Sequence, residues 1–189
     1  MNRVLLIPLL LAATVSLAYP MGKRPEKNRL TFHIQGSQSD GVKMVFPVPM
    51  GNRQLFFSKS PVTFTKEIVS LKHFITDDGT YGATFSFEKA AAGRIAAITT
   101  SNRDKWLVAM LNGRPVDVVF IDKPITDGRL VIWRGITQKE IIRFEYAMPI
   151  TGETREQWKE RIKGHEKQRK AAQKAMREAQ EERNRRRSQ

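Results

Sequence analysis

The side chains best equipped for chemistry are three histidines, His33, His73 and His165, and two groups of carboxylates, Asp77-Asp78 and Asp117, Asp122 and Asp127. The histidines fall in separate segments, at none of the short spacings that bring imidazoles onto one metal ion, and each reads as a surface or hydrogen-bonded residue. Asp77-Asp78-Gly79 lacks the alternating acidic positions and closing Glu of a calcium loop and reads as a turn. Asp117, Asp122 and Asp127 surround one hairpin, but Arg114, Lys123 and Arg129 flank them, so ordinary surface pairing accounts for the group. The chain contains 0 Cys, which excludes thiol nucleophiles, disulfides and Cys-ligated zinc or iron–sulfur centres. It has no G-x-S-x-G elbow, and Gly79, Gly82 and Gly93 are wrongly spaced for a phosphate loop. The expectation is a binding protein rather than an enzyme, with no metal and no cofactor.

Charge divides the chain. Its 189 residues carry 33 Lys and Arg against 19 Asp and Glu, a formal net charge of +14. Met1–Ala18 has a short basic start, an apolar run from Val4 to Ala13 and small residues at Ser16 and Ala18, the three parts of a secretory signal. Cleavage is expected between Ala18 and Tyr19, leaving an exported protein, periplasmic or secreted, without a membrane span; an uncleaved anchor helix is the alternative, against which stand the short apolar run and Pro8. Residues 19–28 read as a flexible lead-in, and residues 29–149 as the folded domain. Residues 151–189 hold 13 basic and 7 acidic residues and little large apolar surface after Trp158 and Ile162. Helix-favouring alanines and the i,i+4 pairs Glu166/Lys170, Glu181/Arg185 and Glu182/Arg186 predict an exposed helix, frayed near Gly164 and disordered from about Arg183 onward. Arg183, Arg185, Arg186 and Arg187 form a candidate contact for an anionic surface, and a plain solvated end is the alternative.

Within the domain, Leu30-Phe32-Ile34 alternates as a strand does, and so does Met44-Phe46-Val48, where Pro47 and Pro49 point to a sheet edge over Lys43–Met50. Short strands follow at Leu55–Phe57 and Val62–Phe64. Ile68, Leu71 and Ile75 suggest a turn or two of helix or an irregular extended stretch. Ala83–Phe87 is a strand, and Ala91, Ala92, Ile95 and Ile98 make Glu88–Ser101 an amphipathic helix. Asn112-Gly113 joins strands Lys105–Leu111 and Pro115–Ile121 in a hairpin, and Arg129–Arg134 is a further strand. Thr137 followed by Glu140 is a capping box opening a second helix, with Ile141, Ile142 and Tyr146 toward the sheet. The order predicts an α+β fold: an antiparallel sheet with two helices packed on one face, plus a charged C-terminal helix.

Phe87–Thr99 resembles the strand-to-helix junction in the first large periplasmic domain of SecD, an accessory subunit of the protein-export translocase. Leu107–Arg114 resembles that family's strand and hairpin, Asp127–Gly135 its glycine-bounded strand, and Ile136–Glu140 the helix start that follows. Leu30–Ile34 and Pro61–Ile68 resemble the opening strand and the segment before the head subdomain. Asp117-Val118-Val119 stands where the family has a small Ser-Ala-Pro run, and Gly41–Phe57 is extra sequence. The chain lacks the family's transmembrane helices, so the resemblance implies a head-type module without a proton-driven motor.

That module is expected to engage unfolded polypeptide or another envelope protein through a sheet edge or groove. The alternative is an electrostatic binder of anionic lipid or polymer acting through the basic tail. Aromatic residues beside basic ones (Phe56, Phe57 and Lys59; Trp133 and Arg134; Phe144) are expected to be core and edge packing, and an exported location disfavours nucleic acid as partner.

Overall fold

The computed structural model describes residues 27–187. The signal sequence and its Ala18–Tyr19 junction lie outside the described residues. Nine strands and three α-helices follow in the order β1 (Leu30–Ile34), β2 (Val45–Met50), β3 (Arg53–Ser58), β4 (Thr63–Phe64), β5 (Ile68–Ile75), β6 (Tyr81–Phe87), α1 (Lys89–Ser101), β7 (Trp106–Leu111), β8 (Arg114–Phe120), β9 (Arg129–Ile136), α2 (Gln138–Ala147) and α3 (Arg155–Arg187). The α+β class and the wholly antiparallel ladders agree with the sequence reading. The single sheet does not: the strands form a four-stranded sheet in the order β4-β1-β7-β8, a three-stranded sheet β5-β6-β9, and a two-stranded ribbon β2-β3.

One face of the two larger sheets holds the main core. Leu30 and Phe32 of β1, Leu107, Ala109 and Leu111 of β7, Phe85 and Phe87 of β6, and Leu130 and Ile132 of β9 are buried against Ala91 and Ile95 of α1 and Ile141 and Phe144 of α2. Thr137 caps α2 as expected, its hydroxyl accepting the Glu140 N–H while the Glu140 carboxylate returns to the Thr137 N–H. Phe144, expected to be core or edge packing, is a full core residue, whereas Ile142 and Tyr146, expected to face the sheet, are half-buried.

For Ile68, Leu71 and Ile75, β5 takes the irregular extended alternative and not the turn or two of helix. It is an eight-residue strand paired with β6. Ile68 pairs with Phe87 and Ser70 with Ser86, so Val69 is the extra residue of a bulge. That insertion places two buried side chains, Ile68 and Leu71, three positions apart and imitates helical spacing.

The extra segment builds the β2-β3 ribbon, which packs on the other face of the four-stranded sheet. Val48 and Phe57 bury against Val108, flanked by Phe46, Leu55, Trp106, Met110 and Val118. His33, expected on the surface or satisfied, is buried beneath the ribbon. Its Nδ1–H donates to the Ser58 carbonyl at 2.8 Å, Nε2 lies 2.8 Å from the Thr31 hydroxyl, and Phe46 meets the ring edge-on. Since a carbonyl only accepts, the neutral ring carries its proton on Nδ1.

The domain also begins earlier than expected. Asn28 is buried and donates from its amide to the Glu140 carbonyl at 2.7 Å. At the other end, α3 runs unbroken through Gly164 and on to Arg187, in place of the expected fraying and disorder. Its base is clamped: Trp158 Nε1–H donates to the Glu145 carbonyl at 3.2 Å, and Arg161 donates twice to Glu153 at 2.8 Å each. These contacts offset the roughly 1 kcal/mol that a helical glycine costs. No helix among the described residues is long and apolar enough to cross a membrane.

Candidate functional site

β8 and β9 are the end strands of the two larger sheets, and they face each other. At one end they touch. Gly135, at φ +88°, leaves only 3.0 Å between the place of a Cβ and the Val116 carbonyl oxygen, and Arg114 donates to the Gly135 carbonyl at 3.0 Å. No larger residue fits this approach. Toward Phe120 and Arg129 the strands diverge around residues 121–128, opening a cleft of about 510 Å³.

The floor of the cleft is core: Phe32, Leu107, Ala109, Ile121 and Leu130. Its rim carries Phe120 and Trp133, exposed by 42% and 60% although both are large and apolar. Trp133 meets Phe74 at 6.3 Å and Phe120 meets Trp106 at 5.1 Å, so an aromatic pair stands on each side. The Phe74 ring lies over Gly82, the only residue type that leaves it room there.

Backbone direction matters as much as the apolar lining. Ile121 exchanges hydrogen bonds with Lys105 and Asp104 on the β7 side. Strand alternation therefore turns the N–H and C=O of Val118 and Phe120 into the gap. On β9, the Gly128 carbonyl accepts from Phe87, so Val131 presents its peptide group to the gap from the other side; the Arg129 N–H donates to Asp127 at 3.1 Å, and the Trp133 carbonyl turns back toward Gly82. Peptide groups of Phe120 and Val131 thus face each other across an apolar slot.

One carboxylate spans the gap beside the cleft. Asp117 accepts the Val118 N–H through Oδ1 at 2.9 Å and the Trp133 N–H through Oδ2 at 2.6 Å. The β7–β8 ladder shifts between Ala109–Asp117 and Met110–Pro115, making Val116 a bulge residue immediately before it. Arg114, expected to pair with this carboxylate group, instead contacts Glu140 at 2.6 Å. Asp117, Asp122 and Asp127 do not converge, and no group of three His, Asp or Glu side chains among the described residues is placed to hold a metal ion.

The residues singled out in the tail are all in the last turns of α3. Arg183, Arg185 and Arg186 are exposed, Arg186 pairs with Glu182 at 2.5 Å, and Arg187 closes the helix. The α3 base is held to the domain, and this basic end lies more than twenty residues beyond those contacts, on exposed turns of the helix. β2 is an outer strand of the ribbon, as Pro47 and Pro49 indicated, yet the apolar opening lies elsewhere. Phe57 and Phe144 are core as read, whereas Trp133 is not. Phe120 was legible only as a strand residue, Asp117 only as one of a surface-paired carboxylate group, and Trp133 only as an aromatic expected to pack in the core or at an edge. The single local hint was a tryptophan on a strand that continues into arginine and glycine.

The structure is an α+β fold in which the end strands of two antiparallel sheets flank an apolar cleft. No protein-family model matches the chain, and no curated protein matches it. Among solved structures it is similar to SecDF, described as a membrane component that enhances protein export, with 18% identity and a TM-score of 0.44 over 64% of this chain and 61% of that one. A second similar structure is SecDF in its super-membrane-facing form, at 17% identity and a TM-score of 0.43, over 62% of this chain and 18% of that one. Likeness at this level carries no activity across.

Proposed function

We propose that this protein is an exported, non-enzymatic binding module that takes up an extended polypeptide segment between β8 and β9. The observation that supports the reading is the pair of facing strand edges over an apolar floor. An incoming strand hydrogen-bonds to outward peptide groups on both sides, and its alternate side chains reach the floor or the aromatic rim. Such recognition is tolerant of sequence, since the backbone supplies much of the contact, and it suits a module that meets many unfolded chains. The export role that the sequence resemblance implies belongs to the same reading, in which Met1–Ala18 is removed on the way out.

The test is titration of the purified protein with a fluorescent ten-residue peptide of alternating valine and threonine, against the same peptide with proline at every second position. Saturable binding of the first and not of the second is expected, because proline removes the N–H groups that an inserted strand must donate. Equal binding of both, or of neither, overturns the reading. Retention on an anionic surface through the α3 arginines is the second reading, favoured by their exposure on a fixed helix. Sedimentation with anionic vesicles that salt reverses and that removal of residues 174–189 abolishes is its mark.

A further inference from the structure

Two antiparallel edges that face each other at close range should pair. Phe120 on β8 and Val131 on β9 turn peptide groups toward each other, β8 and β9 are already in contact at Gly135, and completing the ladder would merge the four- and three-stranded sheets into one. They do not pair, and the residue between them is Asp117. Its two oxygens take one outward N–H from each edge, Val118 on β8 and Trp133 on β9. A carboxylate has acceptors only, so it satisfies both donors at once, as the carbonyls of an intervening strand would, and it offers no donor of its own to a facing carbonyl. Among the described residues no Lys or Arg forms an ion pair with it; Arg114, three positions away, is held by Glu140. A charged group turned into a potential ladder is a known means of blocking edge-to-edge pairing.

We propose that Asp117 is a spacer that keeps β8 and β9 from closing on each other, and so holds the slot between them open for a strand from another polypeptide. It is a positioning residue: it fixes the separation of the two edges and does not itself read the ligand. The bulge at Val116 serves the same end by turning the strand so that Asp117 reaches across rather than along β8. This rests on the cleft being the polypeptide site, but it concerns the free protein and is measured there.

The experiment replaces Asp117 with valine, a strand former without an acceptor, and follows amide hydrogen exchange in the unliganded protein. In the wild type, the Phe120 and Val131 amides are expected to exchange quickly. In Asp117→Val they should become protected by about tenfold or more as the ladder closes, and affinity for the alternating valine–threonine peptide should fall by a similar factor. Unchanged or faster exchange at Phe120 and Val131 in a folded variant overturns the proposal. Should the valine variant fail to fold, Asp117→Ala removes the acceptors without adding bulk and must show the same protection. If the wild type binds no strand peptide, the reading of the cleft falls, while the exchange data on the free protein still decide what Asp117 does.

Discussion

Replacing Glu140 with alanine tests whether one carboxylate fastens three parts of the domain together. Glu140 is 7% exposed. Its Oε2 accepts from Arg114 at 2.6 Å and from the Thr137 N–H and hydroxyl at 2.9 Å each, and Oε1 accepts from Asn112 at 3.1 Å. The substitution removes the returning half of the capping box, worth about 1 kcal/mol. It also leaves the Asn112 amide with only the long bond to Asn28 at 3.3 Å, a further cost of about 1 kcal/mol. Arg114 is 43% exposed and keeps its water, so its share is at most about 1 kcal/mol. The expected loss is therefore about 2–3 kcal/mol, read as a lower urea midpoint at constant slope. Burial alone would raise the Glu140 pKa, but the Thr137 backbone and hydroxyl, the Arg114 charge and the Asn112 amide together hold it below the ordinary carboxylate value. Stability from this group is accordingly present above the ordinary Glu range and is lost as pH falls through the lowered value, and Glu140→Ala should lose that part of the acid dependence. A midpoint change worth less than about 0.5 kcal/mol would refute the network as a fastening.

Other substitutions probe other joints of the structure. Desolvation lowers the His33 pKa below 6.5, against the opposing pull of the Ser58 carbonyl, so the unfolded chain takes up the proton first. The thermal midpoint should therefore fall as pH drops below about 6.5, with a shallower slope in His33→Asn; identical slopes would exclude His33 as the source. Gly82→Ala puts a Cβ 2.3 Å from the Phe74 ring and 2.5 Å from the Trp133 carbonyl oxygen, and should cost about 1–3 kcal/mol in urea unfolding because the latter is backbone; wild-type stability would contradict the packing. Phe120→Ala with Trp133→Ala should weaken uptake of the valine–threonine peptide while the domain stays folded, the lost ring contacts with Trp106 and Phe74 costing about 1–3 kcal/mol of stability; unaltered affinity would remove the aromatic rim from the site. Arg161 holds Glu153 at a pKa of about 2, so Glu153→Gln should loosen the base of α3 and speed tryptic cleavage within residues 155–170, with the rest of the domain as resistant as before.

Local signals in this chain were local in cause. Asn112 and Gly113 both adopt positive φ, at 53° and 86°, and nothing beyond the dipeptide is needed to call for that turn. Thr137 and Glu140 close their capping box within one turn, and Ala91 and Ile95 share a helix face by spacing alone. Such features, with the absence of cysteine and the distribution of charge, determined the fold class and the expectation of a binding role. β5 reads equally as helix or irregular extended chain because a bulge shifts side-chain parity by one, a change that only its pairing with β6 reveals. His33 is buried because a ribbon more than ten residues away folds over it.

The cleft belongs entirely to tertiary structure. Val118 and Trp133 are both strand residues by pattern, and alternation cannot say whether two strands separated by residues 121–128 pair, touch or stand apart. That depends on the close approach at Gly135, on the course of the intervening loop and on a carboxylate held between the two backbones. Sequence sets the conformational preference of each short segment through forces acting within a few residues. Which edges are left open is decided by the mutual placement of all of them.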